Sequence, residues 1–258
     1  MDQNKYFPCP SCQAPIQPKN KFCARCGLPT PEDVLHLKTE YFGHLQDPNT
    51  ARLTIIHHQG QEGVSYHLQA SEHTIGSDAQ IQLTDSFISA QHARLTYQNA
   101  RLQLLDLSSL NGAYTRIRKK TKLIAGDTFL IGEQVLRIEL MPELSEETDN
   151  AGTAFYGSPI ANSPFKIIQL LEGGVPGLTL CPHDSRATIG RQGCDMNILE
   201  DRHISAEHCV IEQDADGFSL IDLDTKNGTY IQIRQQQELE HGDYIMLGRS
   251  LLRIDMNA

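Results

Sequence analysis

From residue 51 onward, apolar and polar residues alternate in short runs, and each run stops at a cluster of Gly, Asn, Asp or Ser. Ala93-Arg-Leu95-Thr-Tyr97 alternates as a strand with one buried face, and Gln98-Asn99-Ala100 turns it into Leu102-Gln-Leu104-Leu105-Asp106. Leu53-Thr-Ile55-Ile56 opens this series. Gly126-Asp127 turns the chain into Phe129-Leu130-Ile131, and Val135-Leu136-Arg137-Ile138 closes it. Phe165-Lys-Ile167-Ile168 opens a second series, in which Asp214-Ala-Asp216-Gly217 supplies a hairpin turn and Gly174-Val-Pro-Gly177 another turn. Short strands separated by turn signals predict an all-β chain.

The two series are copies of one another. Ser89, His92, Asp106, Asn111, Gly112, Tyr114, Gly126, Asp127, Gly132 and Arg137 all recur 116 positions later, as Ser205, His208, Asp222, Asn227, Gly228, Tyr230, Gly242, Asp243, Gly248 and Arg253. Thr74-Ile75-Gly76 pairs with Thr188-Ile189-Gly190 at an offset of 114, so the second copy has two more residues in that loop. This is one domain duplicated, over residues 51–140 and 165–258. Residues 31–50 read as a tether. Residues 141–164 are acidic, then rich in Gly, Ser, Asn and Pro, and read as a flexible linker carrying Thr148 and Thr153, which leaves the repeats without fixed mutual geometry.

Residues 1–30 have different chemistry. Cys9-Pro-Ser-Cys12 and Cys23-Ala-Arg-Cys26 are two Cys-x-x-Cys pairs, and each such turn aims two sulfurs at one ion. Four thiolates at this spacing fit a structural Zn2+ ribbon better than a redox pair or a disulfide. So short a segment lacks an adequate core, and metal binding would supply its folding energy. Cys209 replaces Ala93 in an alternating strand and reads as core filler.

Three polar clusters punctuate the second repeat: Ile189-Gly190-Arg191, Ile204-Ser205-Ala206-Glu207-His208 and Thr225-Lys226-Asn227-Gly228-Thr229. They predict three loops at one end of a sandwich, offering a guanidinium, a hydroxyl and an amide. Such donors suit a dianion presented on a peptide. In its Gly-Arg, Ser-x-x-His and Asn-Gly-Thr elements this stretch resembles the forkhead-associated (FHA) domain, the phosphothreonine-recognition module. The resemblance implies two FHA-type β-sandwiches in tandem behind a small zinc ribbon. It also implies that Arg191 and Ser205 contact phosphate, that Asn227 holds the peptide backbone, and that Gly190, His208 and Gly228 support the loops. Lys226 stands where many members carry Thr, losing a short donor and adding charge, and His203 stands where some members place a basic side chain. In the first repeat Ser77, Leu110 and Phe87 replace Arg191, Lys226 and His203, while Ser89 and Asn111 remain. Losing a bidentate arginine costs about 3 kcal/mol, roughly a hundredfold in affinity, so this site is expected to be degenerate.

The net charge of −10 argues against general nucleic-acid binding, and residues 165–258 alone carry −7, so a phosphate site there must concentrate its few cations. Arg116-Ile-Arg118-Lys119-Lys120-Thr-Lys122 is the basic run that a zinc-ribbon nucleic-acid regulator could use. Its alternation reads instead as a solvated strand edge. No membrane-length apolar run or secretory core is present, so the cytoplasm is expected. Ser205, His208 and Asp222 have the residue types of a catalytic triad, but no nucleophile elbow, oxyanion loop or phosphate-binding loop accompanies them. The expectation is a non-enzymatic adaptor for threonine-phosphorylated proteins in Ser/Thr kinase signalling.

Overall fold

A computed structural model describes residues 7–16, 20–29, 51–57, 60–98, 101–143, 148–154, 156–159 and 162–256. The tether expected over 31–50 lies outside the described residues, as do Asn99 and Ala100 and parts of 141–164. The chain divides into two units, Met1–Pro48 and Asn49–Ala258. In the first unit, β1 (Phe7–Pro8) and β2 (Pro15–Ile16) pair antiparallel, and Cys9, Ile16 and Cys23 form the buried cluster.

Among the described residues, the second unit holds ten strands from each repeat. The first repeat contributes β3 (Arg52–Ile56), β4 (Glu62–His67), β5 (Glu72–Gly76), β6 (Ile81–Gln82), β7 (Ala93–Gln98), β8 (Arg101–Asp106), β9 (Ala113–Arg116), β10 (Thr121–Leu123), β11 (Thr128–Ile131) and β12 (Gln134–Leu140). The second contributes β13 (Phe165–Leu170), β14 (Pro176–Leu180), β15 (Arg186–Gly190), β16 (Met196–Asn197), β17 (Cys209–Asp214), β18 (Gly217–Asp222), β19 (Thr229–Gln232), β20 (Gln236–Leu239), β21 (Tyr244–Leu247) and β22 (Ser250–Asp255). Gly217, at φ 113°, closes the expected β17–β18 hairpin, a backbone that L side chains rarely adopt. The turn expected over 174–177 is displaced: a single 3-10 turn spans Glu172–Gly174, and Pro176 and Gly177 already belong to β14.

The repeats do not fold on themselves. They exchange their last three strands. One five-stranded sheet runs β20-β8-β7-β5-β6 and the other β10-β18-β17-β15-β16. Each thus takes its outermost strand from the other repeat. The facing layers merge into one ten-stranded sheet, β14-β13-β12-β11-β19-β9-β21-β22-β3-β4, joined where β9 and β19 pair antiparallel. One core packs Leu53, Ile75, Leu95 and Leu104 against Leu239, Ile245, Leu247, Leu252 and Ile254. The other packs Ile189, Ile211 and Leu220 against Leu123, Phe129, Ile131, Leu136 and Ile138.

The duplication explains why this is possible. The exchanged strands bury apolar residues at matching positions 116 apart (Leu123 and Leu239, Phe129 and Ile245, Ile138 and Ile254), so either set fills either sandwich. The expectation that 51–140 and 165–258 each close as a sandwich, without fixed mutual geometry, is corrected accordingly. β12 and β13, at the two ends of the presumed linker, pair in continuous register from Val135↔Leu170 to Leu140↔Phe165.

The solvated strand edge expected over Arg116–Arg118 is corrected, while Thr121 and Lys122 do lie on an outermost strand, β10. β9 is an interior strand between β19 and β21, and Arg116 is half-buried. Past it the two repeats cross, with reciprocal ion pairs: Arg118 Nη2 lies 2.7 Å from Asp243, and Arg234 forks onto Asp127. Lys120 lies 3.1 Å from Glu212. Cys209 is fully buried, as core filler should be, and burial pushes its thiol pKa up.

Candidate functional site

The three clusters of the second repeat lie on loops that follow β15, precede β17 and precede β19. Gly190 ends β15 where the chains nearly touch, because a Cβ there would sit 2.1 Å from the Ala206 carbonyl oxygen. That approach lets the Arg191 N–H donate to the Ser205 carbonyl at 2.9 Å. His208 is fully buried and ties two loops. Its Nδ1 accepts the Ser205 N–H at 3.1 Å, and its Nε2 lies 3.1 Å from the Gly228 carbonyl. Burial lowers its pKa, and the Gly228 carbonyl works in the opposite direction, so the neutral ring is favoured. Asn227 Nδ2 donates to the His203 carbonyl at 2.7 Å, joining the second loop to the third. The amide expected to hold a peptide therefore also holds its own loop, and its carbonyl oxygen keeps its acceptor capacity.

Hydrogen bonds thus bring together the loops that carry Arg191, His203, Ser205, Lys226 and Asn227. Ser205 and Arg191 are half-buried, while Lys226 and Asn227 are exposed. Neither Arg191 nor Lys226 forms an ion pair among the described residues.

Two supports escaped the sequence reading. Asp201, buried before β17, accepts N–H groups from His203 at 2.8 Å and, across the repeats, from Glu133 at 2.7 Å; Gln134 Nε2 donates to it at 3.0 Å. Thr225 Oγ1 accepts the Gly228 N–H at 3.0 Å and donates to Asp222 at 2.8 Å, pinning the third loop. Asp85 and Ser109 sit 116 positions earlier, so the repeat itself carried a signal for both.

The first repeat keeps this scaffold and lacks the cations. Gly76 is held as tightly, at 2.1 Å from the Ala90 carbonyl oxygen. Buried His92 accepts the Ser89 N–H at 3.1 Å and reaches the Gly112 carbonyl at 3.0 Å, and Asn111 donates to the Phe87 carbonyl at 2.8 Å. Ser89 Oγ, however, accepts the Leu110 N–H at 3.2 Å. Ser77 takes the place of Arg191, and Leu110, 91% exposed, that of Lys226. Arg249 of the second repeat stacks on the Phe87 ring at 4.4 Å.

In the N-terminal unit the sulfurs of Cys9, Cys12, Cys23 and Cys26 all lie within 4.8 Å of one another, a donor set that could hold one metal ion. Two matching turns present them. The Gln13 N–H returns to the Cys9 carbonyl at 2.9 Å, and the Gly27 N–H to the Cys23 carbonyl at 2.9 Å. N–H groups of Cys26 and Arg25 hold Cys23 down to about 6, and that of Cys12 lowers Cys9. Cys12 is pushed up to about 12: the Ala14 N–H works against this, and burial with the neighbouring sulfurs outweighs it. Four crowded thiolates fit a divalent cation, and bound Zn2+ would supply the positive charge that keeps all four ionised.

Residues 73–132 and 187–248 each match the family model of the FHA domain. Among solved structures, the chain is similar to the FHA domain of CT664 protein from Chlamydia trachomatis. The identity there is 15%, over 81% of this chain and 99% of that one, with a TM-score of 0.33. It is also similar to the FhaA FHA domain complexed with the intracellular domain of Rv3910, at 14% identity over 80% and 99%, with a TM-score of 0.29. The Slr1951 protein from Synechocystis sp. is 22% identical over 35% and 93%, with a TM-score of 0.19. No curated protein sequence matches the chain. The family pattern follows the sequence repeat even though the sandwiches follow the strand exchange. With that pattern present twice, the chain is a tandem FHA-domain protein whose N-terminal four-cysteine cluster fits a zinc ribbon.

Proposed function

We propose that the second site binds phosphothreonine on a partner protein, and that the chain is a non-enzymatic adaptor in Ser/Thr kinase signalling. The observation that carries this reading is the state of its cations. Arg191 and Lys226 enter no ion pair among the described residues, on loops fixed to Ser205 and Asn227. In an acidic protein, such cations support binding of an external anion. Arg191 and Ser205 donate to the phosphate, with Lys226 and His203 at its margin. Asn227 holds the peptide backbone, and Gly190, His208 and Gly228 keep the loops in place. The phosphate brings about −1.5 to −2 charges and three strong acceptors, matched by these donors. The first site, with Ser77, Ser89 and Asn111, is phosphate-blind, and Zn2+ on Cys9, Cys12, Cys23 and Cys26 is structural.

A nucleic-acid role for residues 116–122 is disfavoured, because Arg118 and Lys120 pair with Asp243 and Glu212 and Arg116 bonds the Thr225 carbonyl, which leaves Lys119 and Lys122 as the cations of this run outside any ion pair among the described residues. Among the described residues no helix is long and apolar enough to cross a membrane. The test is an oriented phosphothreonine-peptide library on the full chain. Selection of phosphorylated over unphosphorylated peptides, lost in Arg191→Ala, is expected. Equal retention of both forms overturns the reading.

A further inference from the structure

Arg116 belongs to the first repeat and yet lies against the site of the second. It stands on β9 opposite Tyr230 of β19. Its Nη2 donates to the Thr225 carbonyl at 2.9 Å. A Cβ on Gly228 would fall 2.1 Å from Arg116 Nε, so the side chain packs on bare backbone, and Gly228 at φ +80° is in a region glycine favours. On its other side, the guanidinium carbon lies 5.7 Å from the centroid of the Tyr244 ring. A permanently charged, planar group is therefore held between an aromatic ring and the loop that carries Lys226 and Asn227. The corresponding contact in the first site is neutral: Gln232 Nε2 lies 2.0 Å from where a Cβ on Gly112 would sit.

We propose that Arg116 is a positioning residue for the Thr225–Gly228 loop, and that the first repeat persists without a competent site of its own because it completes the second. The charge-assisted bond to the Thr225 carbonyl fixes the direction in which Lys226 and Asn227 leave the sheet. Glu133 and Gln134, also of the first repeat, hold Asp201 in the neighbouring loop. Two of the three loops thus depend on residues the second repeat does not encode. The consequence for binding rests on the phosphothreonine reading of the site, whereas the consequence for the loop does not.

The test uses the full chain. Without ligand, Arg116→Ala is expected to speed hydrogen exchange at the amides of Asn227 and Gly228 while leaving the β17 and β18 amides and the thermal midpoint near wild type. With a phosphothreonine peptide selected by the wild-type protein, its Kd should rise about tenfold, since one charge-assisted bond is lost. Arg116→Lys should recover part of both effects, and Gln232→Ala should change neither. Unchanged exchange and unchanged Kd in Arg116→Ala overturn the proposal, as does a loss spread evenly over the whole fold. A wild-type chain that binds no phosphopeptide, with exchange still accelerated in Arg116→Ala, sinks the functional reading and leaves the loop assignment standing.

Discussion

Arg191 presents its side chain from a backbone that Gly190 and the Ser205 carbonyl already fix, so little ordering remains for a ligand to impose. Ser205→Ala is therefore expected to weaken phosphopeptide binding modestly, by the roughly 1 kcal/mol of one hydroxyl donor. Asn227→Ala should cost more, because the same amide ties the His203 carbonyl and is proposed to hold the peptide backbone; calorimetry on both variants checks the order. Two histidines, the buried His208 and the half-buried His73, give a pH dependence. Burial lowers His208 and His73 below the ordinary 6.5, so below that pH the unfolded chain takes up protons that the folded chain refuses. Stability should be full above 6.5 and fall as the pH drops beneath it. Melting curves from about pH 7.5 down to about pH 5.5 read this window, ahead of the carboxylates near pH 4. A flat midpoint would contradict it. At this scale the cations and their absence were legible, because Arg191 against Ser77 is a difference between two copies. Arg116 was not, since its copy is Gln232 and its contact lies across the repeats.

The strands were legible because their signals are local: alternation sets the buried face, and Gly217 and Gly126 at positive φ set the turns. What each strand pairs with is not local. Leu123, Phe129 and Ile138 fit the second core as well as Leu239, Ile245 and Ile254 would, so no hydrophobic pattern distinguishes exchange from self-closure. The cysteine unit shows the opposite case, where ligand spacing alone carries the element. It is expected to bind about one zinc per chain by metal analysis, and changing all four cysteines to Ser should abolish both the metal and the amide protection around residues 9–28. Protection retained without metal would refute a metal-built ribbon.

Across the whole of the second unit, two cores each draw strands from both repeats, so neither repeat can be removed without opening both. A protease site placed between residues 148 and 154, followed by cleavage, should leave two fragments that elute together under native conditions and melt in one transition. Fragments that separate and each stay folded would show self-closed repeats. The same construction directs the functional test to the intact chain. Calorimetric titration of one library-selected phosphothreonine peptide into full-length wild type, Arg191→Ala and Ser77→Arg tests the central claim most directly. One bound peptide per wild-type chain is expected, with binding reduced about a hundredfold by Arg191→Ala and partly gained at the first site in Ser77→Arg. Two equal sites in the wild type, or an Arg191→Ala variant that binds as tightly as the wild type, would contradict it.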